Sequence, residues 1–120
     1  MKKKTLVLGA SDKTDRYSNR AVKQLIIHGH PVIALGSKDS FIDNTPIQKN
    51  KVAFDNVDTV TLYLNPTRQK EYYDYILSLK PKRIIFNPGT ENEAFEKLAK
   101  ENNIQTIEAC TLVMLSTGQY

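Results

Sequence analysis

The chain of 120 residues lacks several features that would fix its class at once. It has one cysteine, Cys110, so no internal disulfide can form, and Cys110 has no Cys-x-x-Cys partner for zinc or redox chemistry. A lone thiol of this kind reads as a small buried residue. No apolar run approaches the roughly 20 residues that cross a bilayer. The start, Met-Lys-Lys-Lys, is followed by a short apolar run that ends at Gly9. That is too little for the core of a signal peptide, and the expected location is cytoplasmic. Internal repeats, low-complexity tracts and interdomain linkers are also missing, so residues 1–120 are expected to form one domain. A full G-x-G-x-x-G is absent too. Positions 9–14 read Gly-Ala-Ser-Asp-Lys-Thr, which weakens a dinucleotide dehydrogenase reading.

What is present is a strand-then-helix alternation. The composition, 40% apolar and 25% charged, predicts a packed core. Thr5-Leu6-Val7-Leu8 reads as a first strand, with Ser18 as N-cap of a helix whose apolar face is Ala21, Val22, Leu25 and Ile26. Gly29 and Pro31 stop that helix, and Val32-Ile33-Ala34-Leu35 is the second strand. Residues 37–50 are polar and contain Pro46, which predicts a surface connection, with a short extended piece at Val52-Ala53-Phe54. The third strand falls within residues 58–64. Asn65-Pro66 then opens a helix with Tyr72, Ile76 and Leu79 inward. Arg83-Ile84-Ile85-Phe86 is the fourth strand. Thr90-Glu91-Asn92-Glu93 has the form of a capping box, residues 104–107 form a short fifth strand, and residues 111–115 leave strand, helical turn and dimer contact open. The pattern predicts an α/β, Rossmann-like, doubly wound parallel sheet of about five strands in three αβα layers.

In such a sheet a ligand lies where strand order reverses, against the residues that follow each strand. The first such turn carries the most information. Gly9 permits a tight bend, Ala10 and Ser11 are small, and the following helix, with Tyr17 and Ser18 at its start, offers unpaired amides to an anion. Lys13 and Arg16 add direct phosphate contacts. After the second strand, where an NAD site places Asp or Glu for the ribose hydroxyls, this chain has Gly36-Ser37-Lys38. Lysine suits an additional phosphate, either the 3′-phosphate of coenzyme A or the 2′-phosphate of NADP.

The net charge of +4 and pI near 9.2 owe much to Lys2, Lys3, Lys4, Lys80, Lys82 and Arg83, which the topology puts at the opposite, amino edge. A solvated edge is the expectation there, with a weak nucleic-acid or protein interaction patch as the alternative. His28 and His30 flank Gly29 with no third ligand nearby, so no metal is expected. Ser11 is not in a G-x-S-x-G elbow, and no catalytic constellation is visible.

Val7-Leu8-Gly9-Ala10-Ser11, Arg16-Tyr17-Ser18 and Phe86-Asn87-Pro88-Gly89-Thr90-Glu91-Asn92, with Glu108-Ala109-Cys110, resemble the small single-domain CoA-binding proteins. That family is similar to the CoA-binding domain of the succinyl-CoA synthetase α subunit. The resemblance runs from about residue 5 to residue 115. It implies a CoA site with Gly9, Ala10, Ser11, Arg16 and Ser18 around phosphates, Lys38 at the basic position after the second strand, Asn65 and Pro66 after the third, and Pro88 and Gly89 after the fourth. The second strand ends Ala34-Leu35-Gly36-Ser37-Lys38, where the family often has Pro-Val-Asn-Pro-Lys. The synthetase's phosphohistidine lies in regions this sequence lacks, so the implied role is binding of CoA or an acyl-CoA without catalysis. The implied partner is a small molecule, and NADP-linked oxidoreduction is the enzyme alternative. Self-association and a protein partner are left open.

Overall fold

A computed structural model describes residues 2–120. Its centre is β1 (Thr5–Ala10), apolar toward both sheet faces, followed by α1 (Tyr17–Ile27) and β2 (Val32–Gly36). Next come β3 (Ser40–Ile42), β4 (Thr45–Gln48) and β5 (Thr59–Leu62). A helical segment is then built from α2 (Pro66–Gln69), a 3-10 turn (Lys70–Tyr72) and α3 (Tyr73–Leu79). The chain continues through β6 (Arg83–Phe86), α4 (Glu93–Glu101), β7 (Gln105–Glu108) and α5 (Thr111–Ser116). The sheet order is β3-β4-β2-β1-β5-β6-β7, and every pairing is parallel except β3 with β4. The α/β doubly wound class therefore stands, with seven strands instead of about five.

Alternation along β1 explains the three layers. Leu6 and Leu8 join Val60, Leu62, Ile84 and Phe86 in a core closed by Ile76, Phe95 and Ala99 of α3 and α4. Val7 and Ala34 face the other way, onto Val22, Leu25 and Leu115 of α1 and α5. Phe86 and Phe95 are fully buried, a burial that contributes about 1.5–3 kcal/mol for each ring. Phe95 also stacks on Tyr73 with centroids 4.2 Å apart.

The two added strands correct the reading of residues 37–50 as a surface connection. They form a hairpin that turns at Asp43 (φ +50) and buries Ile42 and Ile47 against the α1 layer. Pro46 is tolerated because it stands on the short β4, paired with Phe41 near the sheet edge. The extended piece expected at residues 52–54 is not a strand. The open segment 111–115 is helix.

Both expected caps move. Arg16, not Ser18, is the N-cap residue of α1, and Ser18 is buried inside the first turn. At α4 the cap is Asn92, whose side chain accepts from the Phe95 amide. Thr90 lies two residues before that cap, its hydroxyl donating to the Asn87 carbonyl at 2.7 Å, and Glu91, in the loop before the helix, accepts from the Gly89 amide. Cys110 is half-buried at the start of α5 instead of fully buried.

The amino edge is more committed than its charge suggests. Lys2, Lys3 and Lys4 each donate from Nζ to a backbone carbonyl, those of His28, Tyr120 and Asp55. Arg83, expected to be solvated, is buried. Its Nε donates to Thr59 Oγ1 at 2.8 Å, and its guanidinium lies 4.5 Å from the centroid of the Tyr120 ring. His30 Nδ1 accepts from the Lys3 amide; burial, then the neighbouring lysines, push its pKa down. Among the described residues no group of three His, Cys, Asp or Glu side chains could hold a metal, and no helix is long and apolar enough to cross a membrane.

Candidate functional site

The chain leaves β1 toward β2 on one side and returns to β5 on the other, so strand order reverses at the carboxyl ends of β1 and β5. A cleft of about 740 Å³ opens there. It runs across the sheet from the hairpin, over the turn after β1, to the loops after β5 and β6.

The middle of the cleft is a shaped backbone. β1 carries one extra residue between Leu8 and Ala10, and this is Gly9 with φ +94. A Cβ on Gly9 would be strained and would sit 3.0 Å from the Tyr63 carbonyl group of the neighbouring strand end. Beyond it, the Lys13 amide donates to Ser11 Oγ and the Arg16 amide to the Lys13 carbonyl, each at 3.1 Å. Asn19, buried in α1, donates from Nδ2 to the Ser11 carbonyl at 3.0 Å. These bonds turn the 11–16 backbone into a fixed collar above the start of α1. That helix start, with its unpaired amides and partial positive charge, faces the cleft through Tyr17 and Ser18.

Of the sequence-chosen positions, Gly9, Ala10, Ser11, Lys13, Arg16, Tyr17, Ser18, Gly36, Ser37, Lys38, Asn65, Pro88 and Gly89 all line this one cleft. Pro66 does not. It occupies the first turn of α2, where Asn65 caps the helix by accepting from the Arg68 amide at 2.9 Å. Asp12 and Thr90 lie in the strand-end turns that the sequence singles out, whereas Ser40, Ile47, Tyr63, Leu64, Arg68 and Tyr72 on the walls were missed. Arg68 follows the Asn-Pro helix start by one turn and was within reach of a helical-spacing argument. Ser40 and Ile47 depended on the unrecognised hairpin.

The charge of the lining is lopsided. Lys13, Arg16, Lys38 and Arg68 face a single carboxylate, Asp12. Asp12 Oδ2 accepts from Ser40 Oγ at 2.7 Å and lies 3.5 Å from Lys38 Nζ. The Ser40 hydrogen bond, aided by Lys38, holds the Asp12 pKa below the usual carboxylate range. Tyr63 is pushed the other way, its phenol pKa raised by burial.

Gly36 gives a second steric fact. A Cβ there would lie 2.4 Å from the Ala10 carbonyl oxygen and 2.9 Å from Ile47 Cγ2. The end of β2 therefore admits no side chain, and the acid that reads ribose hydroxyls in many NAD sites has no room at this position.

At the far end, a buried amide bridge joins two cleft loops. Gln69 Nε2 donates to the carbonyls of Leu64 and Thr90, both at 2.8 Å. Its Oε1 accepts from Asn92 Nδ2 at 2.9 Å. The loops after β5 and β6 are thus one rigid wall.

Comparison with known proteins agrees with this architecture. No curated protein matches the chain. The crystal structure of an uncharacterized protein is 50% identical, with TM-score 0.98 over 100% of this chain and 99% of that one. A hypothetical protein from Pyrococcus horikoshii OT3 is 24% identical with TM-score 0.88, over 97% of this chain and 83% of that one. A Thermus thermophilus structure is 18% identical with TM-score 0.85, over 99% and 91%. These last two share the fold. The family profile described as CoA binding domain matches residues 3–116, nearly the whole sequence, and the chain belongs to that family.

Proposed function

We propose that this protein binds coenzyme A or an acyl-CoA as a single binding domain over residues 1–120, holding the ligand without transforming it. The observation that carries this reading is the charge of the cleft, four cations against one carboxylate along its described lining, in a chain of the CoA binding domain family. The two phosphates of a diphosphate and one phosphomonoester bring about four negative charges. A lining of this sign, around a glycine turn that a Cβ would fill, fits such a group.

In this arrangement the Gly9–Ser11 backbone, Lys13, Arg16 and the start of α1 hold the diphosphate. Hydrogen bonds to charged groups contribute roughly 1.5–3 kcal/mol each, against about 0.3–1 for the helix dipole, so the side chains and amides dominate. Lys38 takes the 3′-phosphate, with Ser37 and the hairpin beside the adenosine. The uncharged pantetheine arm then runs over β5 and β6, along Asn65, Pro88 and Gly89.

Thermal unfolding with CoA, dephospho-CoA and NADPH tests this reading. Ligand at about 100 times its dissociation constant stabilises a protein by about 2.7 kcal/mol, a rise of roughly 10 °C for a domain of this size. CoA is expected to give the largest rise, and Arg16→Ala and Lys38→Ala to reduce it. No shift at millimolar CoA refutes the reading, and a larger shift with NADPH replaces it with the NADP alternative.

A further inference from the structure

Among the described residues Asp12 is the one carboxylate on the cleft wall, and a phosphate site gains nothing from a bare negative charge. Its surroundings give it another use. Oδ2 is held by Ser40 and Lys38, while the side chain stays about 31% exposed on the cleft wall, where the carboxylate can accept a further hydrogen bond from a ligand. Gly36, where many ribose-reading acids stand, is closed to any side chain by the Ala10 carbonyl. Asp12 reaches the same region from the neighbouring turn, and the hairpin residue Ser40 fixes its orientation.

An acceptor oxygen next to an ammonium group is the complement of a hydroxyl next to a phosphate on adjacent ribose carbons. We propose that Asp12 is a specificity residue that accepts a hydrogen bond from the ribose 2′-hydroxyl while Lys38 binds the 3′-phosphate. This rests on the CoA reading above and names what that site discriminates. The Lys38 charge beside Asp12 offsets the repulsion between the carboxylate and the ligand's phosphates, so the acid is tolerated in an anion cleft. A ribose bearing a 2′-phosphate would set that phosphate against the Asp12 carboxylate, and the pair would reject it.

Calorimetric titration of the full chain with CoA and 2′-deoxy-CoA tests the assignment. Wild type is expected to bind CoA about tenfold or more tighter than the 2′-deoxy analogue, the size of one charge-assisted hydrogen bond. Asp12→Ala should bring the two affinities within about twofold of each other. Ser40→Ala, which loosens the carboxylate without removing it, should weaken both ligands yet keep most of the ratio. A purely structural Asp12 would lower both affinities in Asp12→Ala and leave the ratio intact, and that result overturns the assignment. Equal binding of the two ligands by wild type overturns it as well, with the CoA reading still standing. Failure of wild type to bind CoA at millimolar concentration overturns both.

Discussion

Replacing Gln69 tests whether the far wall of the cleft is held by a single side chain. Gln69 is fully buried, and both protons of its amide nitrogen are used, one on the Leu64 carbonyl and one on the Thr90 carbonyl. Gln69→Ala removes those two bonds and the bond from Asn92. Asn92 keeps Tyr73 as a second acceptor, so its loss is small. The two carbonyls lie beside buried residues, and a buried polar group left without a partner costs about 1–3 kcal/mol. Two such groups, with the space left by the side chain, predict a loss of about 3–5 kcal/mol in urea unfolding. With an unfolding entropy of about 2.1 cal/mol/K per residue, the melting temperature should fall by about 12–20 °C. Gln69→Leu separates the bonds from the cavity. It fills similar volume but donates nothing, and it should still cost at least about 2 kcal/mol. Gln69→Glu can accept from Asn92 but, ionised, serves neither carbonyl, so it should be no better. The CoA-induced thermal shift should shrink in all three, because both cleft loops lose their tie. A Gln69→Leu protein within about 0.5 kcal/mol of wild type would refute the argument.

Two other substitutions follow from the geometry. Gly36→Ala places a Cβ 2.4 Å from the Ala10 carbonyl oxygen and should destabilise by about 2–4 kcal/mol, measured by urea unfolding; a loss under about 0.5 kcal/mol would show that β1 and β2 separate easily. Glu96 has its pKa raised above 4.5, first by burial and then by Glu108. A carboxyl raised in the folded state costs stability as pH climbs from its unfolded value through the folded one. Glu108→Gln should therefore stabilise at pH 7, by less than about 1 kcal/mol after solvent screening, and should have no effect near pH 3.5; a larger gain at low pH than at pH 7 in thermal melts would reverse the assignment.

The parts of the fold that the sequence announces are those with dense local signals. Thr5-Leu6-Val7-Leu8 and Arg83-Ile84-Ile85-Phe86 are short apolar runs bounded by turn residues, and both are strands. Asn65-Pro66 is a helix start on the page and in the structure. The hairpin is different, because β3 and β4 bury only one large apolar side chain each, Ile42 and Ile47, too few to make a periodic pattern. The capping box at residues 90–93 failed because the helix starts two residues later, with Asn92 accepting from the Phe95 amide, and the Thr90 side chain turns back to the Asn87 carbonyl. Arg83 illustrates the limit of local reading. Its partner Tyr120 is 37 residues away in the chain, and only the folded sheet brings the ring under the guanidinium. The cleft positions were legible for a simpler reason: in a doubly wound sheet, strand ends converge on one crevice, so locating strands locates the lining. Asp12 was in plain view in the first turn, and its neighbour Ser40 became visible only with the hairpin.

The close approach of Gly36 to β1 also bears on how this scaffold can change. Most ligand preferences are rewritten by exchanging side chains, since the backbone tolerates the new groups. Here the position that would confer recognition of an unphosphorylated ribose is blocked by main chain. An acid installed there would first have to push two central strands apart, or Gly9 would have to be deleted to restore regular pairing, and that deletion would dismantle the collar on the neighbouring turn. Recognition by an acid at the end of β2 and backbone register are therefore inherited together, and gaining that mode of ribose recognition would need concerted changes in at least two segments.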